Sequence, residues 1–275
     1  MDELTGGSVT VLGIPSDENS SFLRGAALAP ARIREALHSN STNRCSETGI
    51  DLAVEPRFQD LGDLDLGGAG AAAERIEATI SELLDRGVYA LSLGGDHAIT
   101  YPIVRAYATK YQSLNLLHFD AHPDLYDVYQ GNPYSHACPF ARIMEAGLAS
   151  RLVQVGIRTM NPEQRSQAER FGVEVVEMRD WRPDYRPDLE GPTYLSFDLD
   201  ALDPAFAPGV SHHEPGGLTV RDALRLIASV RAPIVGADIV ELNPQRDPLG
   251  VTAMVAAKLL KELAAAMLQT NSVGS

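Results

Sequence analysis

In HFDAHPDLYD, residues 118–127, three potential metal ligands stand at every second position: Asp120, His122 and Asp124. SFDLDALDP repeats the spacing with Asp198 and Asp200, LSLGGDH sets His97 behind a glycine pair, and GADIVELNP carries Asp238 and Glu241. Alternate residues of an extended chain share a face, and Pro123 biases His122 toward extended backbone, so each unit would present its polar groups together. A lone DxD reads equally well as a hydrated strand end. Four carboxylates gathered without a counter-charge would instead raise one another's pKa values and destabilise the fold. Two divalent cations balance the charges of Asp120, Asp124, Asp198 and Asp200, while His97 and His122 add neutral nitrogen donors. Oxygen and imidazole donors without thiolate suit Mn²⁺ and admit Zn²⁺, Co²⁺ or Fe²⁺. Two such ions roughly 3.5–4 Å apart would turn a shared water into hydroxide near neutral pH, a charge that suits a cationic substrate.

These side chains need elements to converge them. Apolar β-rich runs recur as SVTVLG, VYALSL, SLNLLHF, RLVQVGI, GVEVVEM, PTYLSFDLD and PIVGADIV, with RFQDLGD as a weaker eighth. Helical patterns lie between them, among them AAAERIEATISELLDRG, AITYPIVRAYATKY, TVRDALRLIASV and TAMVAAKLLKELAAAM, with Thr219 as a start signal and Gly87 as a stop. This alternation predicts an α/β fold with a parallel sheet covered by helices. Eight such units close into a barrel or spread into an open doubly wound sheet, and periodicity does not separate the two. In both, chemistry belongs at the C-terminal ends of strands, which is where His97 and the acidic motifs fall. RPDYRPDLEGP reads as a surface connection, and no linker or repeat divides the chain, so residues 1–275 are expected to form one domain.

The 275 residues are 44% hydrophobic, ample for a sizeable core, and the net charge of −14 argues against nucleic acid or an anionic membrane as partner. Two cysteines, Cys45 and Cys138, cannot build a disulfide framework or a thiolate metal site. With the non-basic start MDELTGGSVTVLGIPSD, they set the expectation of a cytoplasmic protein.

LGGDHAITYP, HFDAHPDLYD, SFDLDALDPAFAPGVSHHEPGGL and GADIVELNPQRD together resemble the ureohydrolase family of arginases, agmatinases and their relatives. The resemblance runs from GIPSDENSSFLRGAALAPARIREAL to the last helix. GVSHHEPGGL, YSHACPFARIMEAG and VELNPQRDPLGVTAMVAAKLLKEL look most like plant-type arginases. It implies an open eight-stranded parallel sheet with helices on both faces, a Mn²⁺ pair, and assembly into homotrimers or homohexamers. Carried onto matching positions, it gives one ion to His97, Asp120, Asp124 and Asp198 and the other to Asp120, His122, Asp198 and Asp200. It further implies that Asp124 orients the nucleophile, Glu241 grips the guanidinium, and His136 shuttles a proton. The implied activity is hydrolysis of L-arginine to L-ornithine and urea. Hydrolysis of agmatine or of another guanidino acid is the alternative, and a noncatalytic, metal-stabilised binding subunit is the reading from a different class.

Among the remaining polar residues, His118 reads as a buried, satisfied histidine, Asp96 and Asp203 as turn residues, and Cys138 as packing. Asn132, four residues before His136, is nominated to meet the arginine head group, against the plain reading of a Gly131-Asn132-Pro133 turn. His212 and His213 stay ambiguous between solvent, scaffold and site mouth. Two positions depart from the family pattern: Ala98 stands where serine is common, and SHHEPGG replaces a threonine-rich loop of agmatinases.

Overall fold

A sheet covered on both faces needs strands that are apolar on both faces, and that is what the six inner strands supply. In a computed structural model describing residues 5–68 and 70–270, β1 (Val9–Ile14), β4 (Asn115–Phe119), β7 (Thr193–Asp198) and β8 (Ile234–Val240) bury every residue. β3 (Tyr89–Gly94) and β5 (Arg151–Ile157) bury all but the first. The edge strands β2 (Phe58–Asp63) and β6 (Glu174–Glu177) are half-exposed and charged, which is why RFQDLGD carries the weaker apolar signal. All pairings are parallel, in the order β2-β1-β3-β8-β7-β4-β5-β6. Two free edges make the sheet open, settling what periodicity left undecided.

Helices α1 (Ala29–Leu37), α6 (Val220–Ser229) and α7 (Val251–Thr270) pack on one face. On the other lie α2 (Ala72–Asp85), α3 (Thr100–Lys110), α4 (Pro139–Glu145) and α5 (Pro162–Phe171). Both boundary signals act as expected: Thr219 and Asp222 form a reciprocal capping box on α6, and Gly87 follows α2 with φ of 70°. RPDYRPDLEGP carries no helix or strand. Of the expected 1–275 unit, residues 1–4, 69 and 271–275 lie outside the described part.

Chain order is broken in the middle of the sheet, where β8 and β7 sit between β3 and β4. These four neighbours are the strands that end in His97, Glu241, Asp198 and Asp120. The topology thus brings motifs separated by more than a hundred residues to one crevice at the carboxyl edge.

Candidate active site

The motifs converge, but not by strand alternation. β4 stops at Phe119 and β7 at Asp198, so Asp120, His122, Asp124 and Asp200 lie in the turns beyond. Side-chain to backbone bonds shape those turns: His122 N–H donates to Asp120 Oδ1 at 2.5 Å, Asp200 N–H to Asp198 Oδ1 at 2.8 Å, and Ala121 N–H to Asp200 Oδ1 at 3.0 Å. Asp124 and Glu241 sit at φ of 50° and 65°, two of only three non-glycine residues with positive φ among those described. A left-handed backbone is uncommon for any residue with a Cβ, and such strain persists where surrounding structure fixes it, commonly in active sites.

His97 Nδ1 faces three carboxylate oxygens, from Asp120 at 3.3 Å, Asp124 at 3.1 Å and Asp198 at 3.2 Å. His122 Nδ1 lies 3.0 Å from Asp200 and 3.3 Å from Asp120. All these groups except His122 are buried. The orientation of His97 follows from its other nitrogen. Tyr194 and Thr100 hydroxyls donate to Asp238 Oδ2, both at 2.8 Å, and Ser196 donates to Oδ1 at 2.7 Å. Ser196 Oγ therefore accepts from His97 Nε2, 2.9 Å away, leaving Nδ1 as the atom turned to the carboxylates. That buried Nδ1 makes no aligned hydrogen bond. One proton can point at only one of three surrounding oxygens, whereas a multivalent cation satisfies all four atoms together, so the donor set fits a metal.

His118 also approaches Asp120, yet both of its nitrogens are spent. Gln154 Nε2 donates to the Pro123 carbonyl at 2.6 Å and to His118 Nδ1 at 3.0 Å, so His118 Nε2–H donates to Asp120 at 2.9 Å. Burial lowers the His118 pKa to about 4, consistent with a neutral ring.

The electrostatics are those of crowded carboxylates lacking a counter-ion. Burial, then repulsion from Asp120, raises Asp124 to about 6; burial and neighbouring acids also hold Asp198 and Asp200 above the ordinary range. Asp120 is lowered despite burial, because His118, His122 and His97 surround it. The acids in turn raise His97 and His122 against the pull of desolvation.

Beside the cluster, Glu241 Oε1 accepts from His97 N–H at 2.9 Å and lies 2.8 Å from His136 Nδ1. Burial pulls His136 down, but the Glu241 charge and hydrogen bond outweigh it and raise the pKa to about 9. His136 Nε2 meets Ser21 Oγ at 2.8 Å. These residues open onto a cleft of about 200 Å³ that is also lined by Tyr126, Tyr129, Thr159, Gln164, His212 and Glu214.

Asn132 does not line this cleft. Its amide donates to Asn19 Oδ1 at 3.0 Å and accepts from Tyr134 N–H at 2.9 Å, the turn role set against its nomination. His212 does line it, its ring 5.3 Å from that of His136 and 5.7 Å from that of His122, while His213 is exposed and bonds the Pro208 carbonyl. Asp96 accepts from Asn19 and Ala98 N–H groups, and Asp203 from Ala205, Gly216 and Gly217. Sequence reading missed Ser21, Thr159 and Gln164. They follow β1 and β5, and the rule that chemistry gathers at carboxyl strand ends, applied to every strand, would have flagged them.

The family model described as Arginase family matches residues 7–266. "Arginase 1, mitochondrial" of Arabidopsis thaliana is 51% identical over 94% of this chain and 80% of its own. The structure titled "Arginase from Medicago truncatula" superposes with a TM-score of 0.88 at 47% identity, covering 94% of this chain and 87% of that one. An agmatinase of Bacillus anthracis is 35% identical over 93% of this chain and 90% of its own. These names also correct the cytoplasmic expectation: arginases of Arabidopsis, rice and Medicago that match this chain are named mitochondrial, pointing to an organelle. Scarce cysteines mark a reducing milieu, and that milieu is not confined to the cytosol.

Proposed function

The chain belongs to the arginase family, a family of binuclear metal hydrolases acting on guanidino compounds, and from that premise we infer that it hydrolyses L-arginine to L-ornithine and urea. The observation that carries the reading is the convergence of His97, Asp120, Asp124 and Asp198 around one buried nitrogen, with the Glu241–His136 pair at its side. Identity of 51% to a plant arginase against 35% to an agmatinase favours arginine over agmatine.

His97, Asp120, Asp124 and Asp198 would hold one Mn²⁺, and Asp120, His122, Asp198 and Asp200 would hold a second. When bound, the ion pair supplies Lewis acidity and lowers the pKa of a shared water. Asp124, aimed by its left-handed backbone, accepts a hydrogen bond from the attacking water and takes its proton. Glu241 Oε1 is engaged by His97 and His136, and the carboxylate holds the guanidinium so that its trigonal carbon meets the water. His136, kept protonated by Glu241, delivers a proton to the leaving amine, which is a poor leaving group until it receives one. The positive substrate and the acidic cleft match in charge.

The test is urea release by the Mn²⁺-loaded protein across arginine, agmatine and other guanidino acids. Arginine should give urea and ornithine in equal amounts at the highest kcat/KM; preference for another compound would overturn the substrate assignment while leaving the metal assignment standing.

A further inference from the structure

Arg158, two residues past the Gly156 bulge of β5, spends its whole side chain on backbone carbonyls. Nε and Nη2 donate to Glu214 O, Nη1 to Gly156 O at 2.9 Å and Ala201 O at 3.3 Å, and Nη2 also to Asp200 O at 2.7 Å and Leu202 O at 3.3 Å. Its own N–H donates to Ala121 O at 2.9 Å. One residue thus joins three segments: the turn holding Asp120 and His122, the turn holding Asp200, and the loop that places His212 and Glu214 at the cleft. Gly156 permits this approach, for at φ of 102° an added Cβ would stand 2.8 Å from Asp120 O.

A guanidinium suits the task because its planar fork carries five N–H donors in fixed directions and stays charged. Five carbonyl oxygens converging on one point repel one another unless a cation sits among them. The bond to Asp200 O is the informative one. That residue's N–H is held by Asp198, its carboxylate by Ala121 N–H, and its carbonyl by Arg158, so its free Oδ2 is aimed at His122 from a backbone fixed on every side.

We propose that Arg158 is a positioning residue that locks the cleft-lining loop to the His122–Asp200 half of the metal site, so that substrate binding and retention of one ion depend on the same clamp. The proposal rests on the arginase reading above. It places no role on the His97 half, which is oriented from behind by Ser196 and Asp238.

Arg158→Lys keeps the charge and discards the fork, and a lone ammonium with three donors cannot reach all five carbonyls. In the Mn²⁺-loaded enzyme the variant should release one of its two ions to a chelator about tenfold faster than the parent, and KM for arginine should rise about tenfold. Deuterium uptake should quicken at residues 200–203 and 212–217 and stay parental in β1 and α7. Arg158→Ala should move all three readouts further in the same direction.

Parental ion release or parental KM in Arg158→Lys would overturn the clamp. So would equal loss of both ions with exchange quickened across the sheet, the signature of a residue that only stabilises the fold. Should the parent bind no Mn²⁺ or release no urea from arginine, the arginase reading fails instead. Deuterium uptake in the metal-free chains then still decides the clamp, which requires the same two segments to loosen.

Discussion

At the scale of single residues, the site separates groups meant to be ionised from groups meant to wait. His136 is raised from 6.5 to about 9 by Glu241, so the pair stabilises the fold fully below the ordinary histidine value and loses that contribution as pH rises through about 9. The imidazolium is also the form able to protonate a leaving amine. Replacing His136 with alanine is expected to cut turnover by about 10²-fold or more, the usual worth of general acid–base catalysis, while both metals stay bound. Kinetics alongside metal analysis check this, and added imidazole should restore part of the rate. Metal loss on removal of His136 would mean that the ring serves the ions rather than the proton. The cysteines offer a separate check. Burial pushes the Cys138 thiol up to about 12, whereas Cys45 is exposed. A thiolate-selective reagent at pH 8 should therefore titrate one thiol in the native protein and two after unfolding.

At the scale of elements, the four central strands do the positioning, and close backbone approaches set the turns that follow them. A Cβ on Gly95 would lie 1.7 Å from Ser16 O, a backbone atom that cannot swing away, whereas a Cβ on Gly68 would meet nothing within 4 Å. Gly95→Ala is expected to destabilise by about 1–3 kcal/mol through forced overpacking and to displace the Ser16–Ser21 segment from His136. Gly68→Ala should be neutral or stabilising by about 0.5 kcal/mol. Denaturant midpoints of the two variants check the contrast. The strands themselves were legible in the sequence because six of them are apolar on both faces, and even the half-exposed β2 was visible as a fainter run. The turns were not. Alternation was expected to converge Asp120, His122 and Asp124, yet the alignment comes from a strand end, backbone-capping carboxylates and a left-handed Asp124. No local pattern announces a non-glycine residue at positive φ.

At the scale of the whole molecule, the site exists because the order of strands is broken. β8 and β7 enter between β3 and β4, and the six candidate ligands meet at one crevice with Glu241 and His136, the two residues whose roles the resemblance supplied. That much could be read from motifs and their resemblance. Ser21, Thr159 and Gln164 were passed over because no spacing or residue pattern singles them out, and only their place after β1 and β5 at the carboxyl edge marks them. Asn132 shows the converse, a plausible polar residue whose amide is already committed to Asn19 and its own turn. Asp120, Asp124, Asp198 and Asp200 are buried close together in a chain of net charge −14, and a pair of bound cations would resolve that crowding. The direct test is to strip the protein of metal, titrate Mn²⁺ back, and measure bound ions per chain and urea formed from arginine in the same samples. Two ions per chain should bind, and urea formation should rise with their occupancy. Binding of fewer than two ions, or full urea release from the stripped protein, would contradict it.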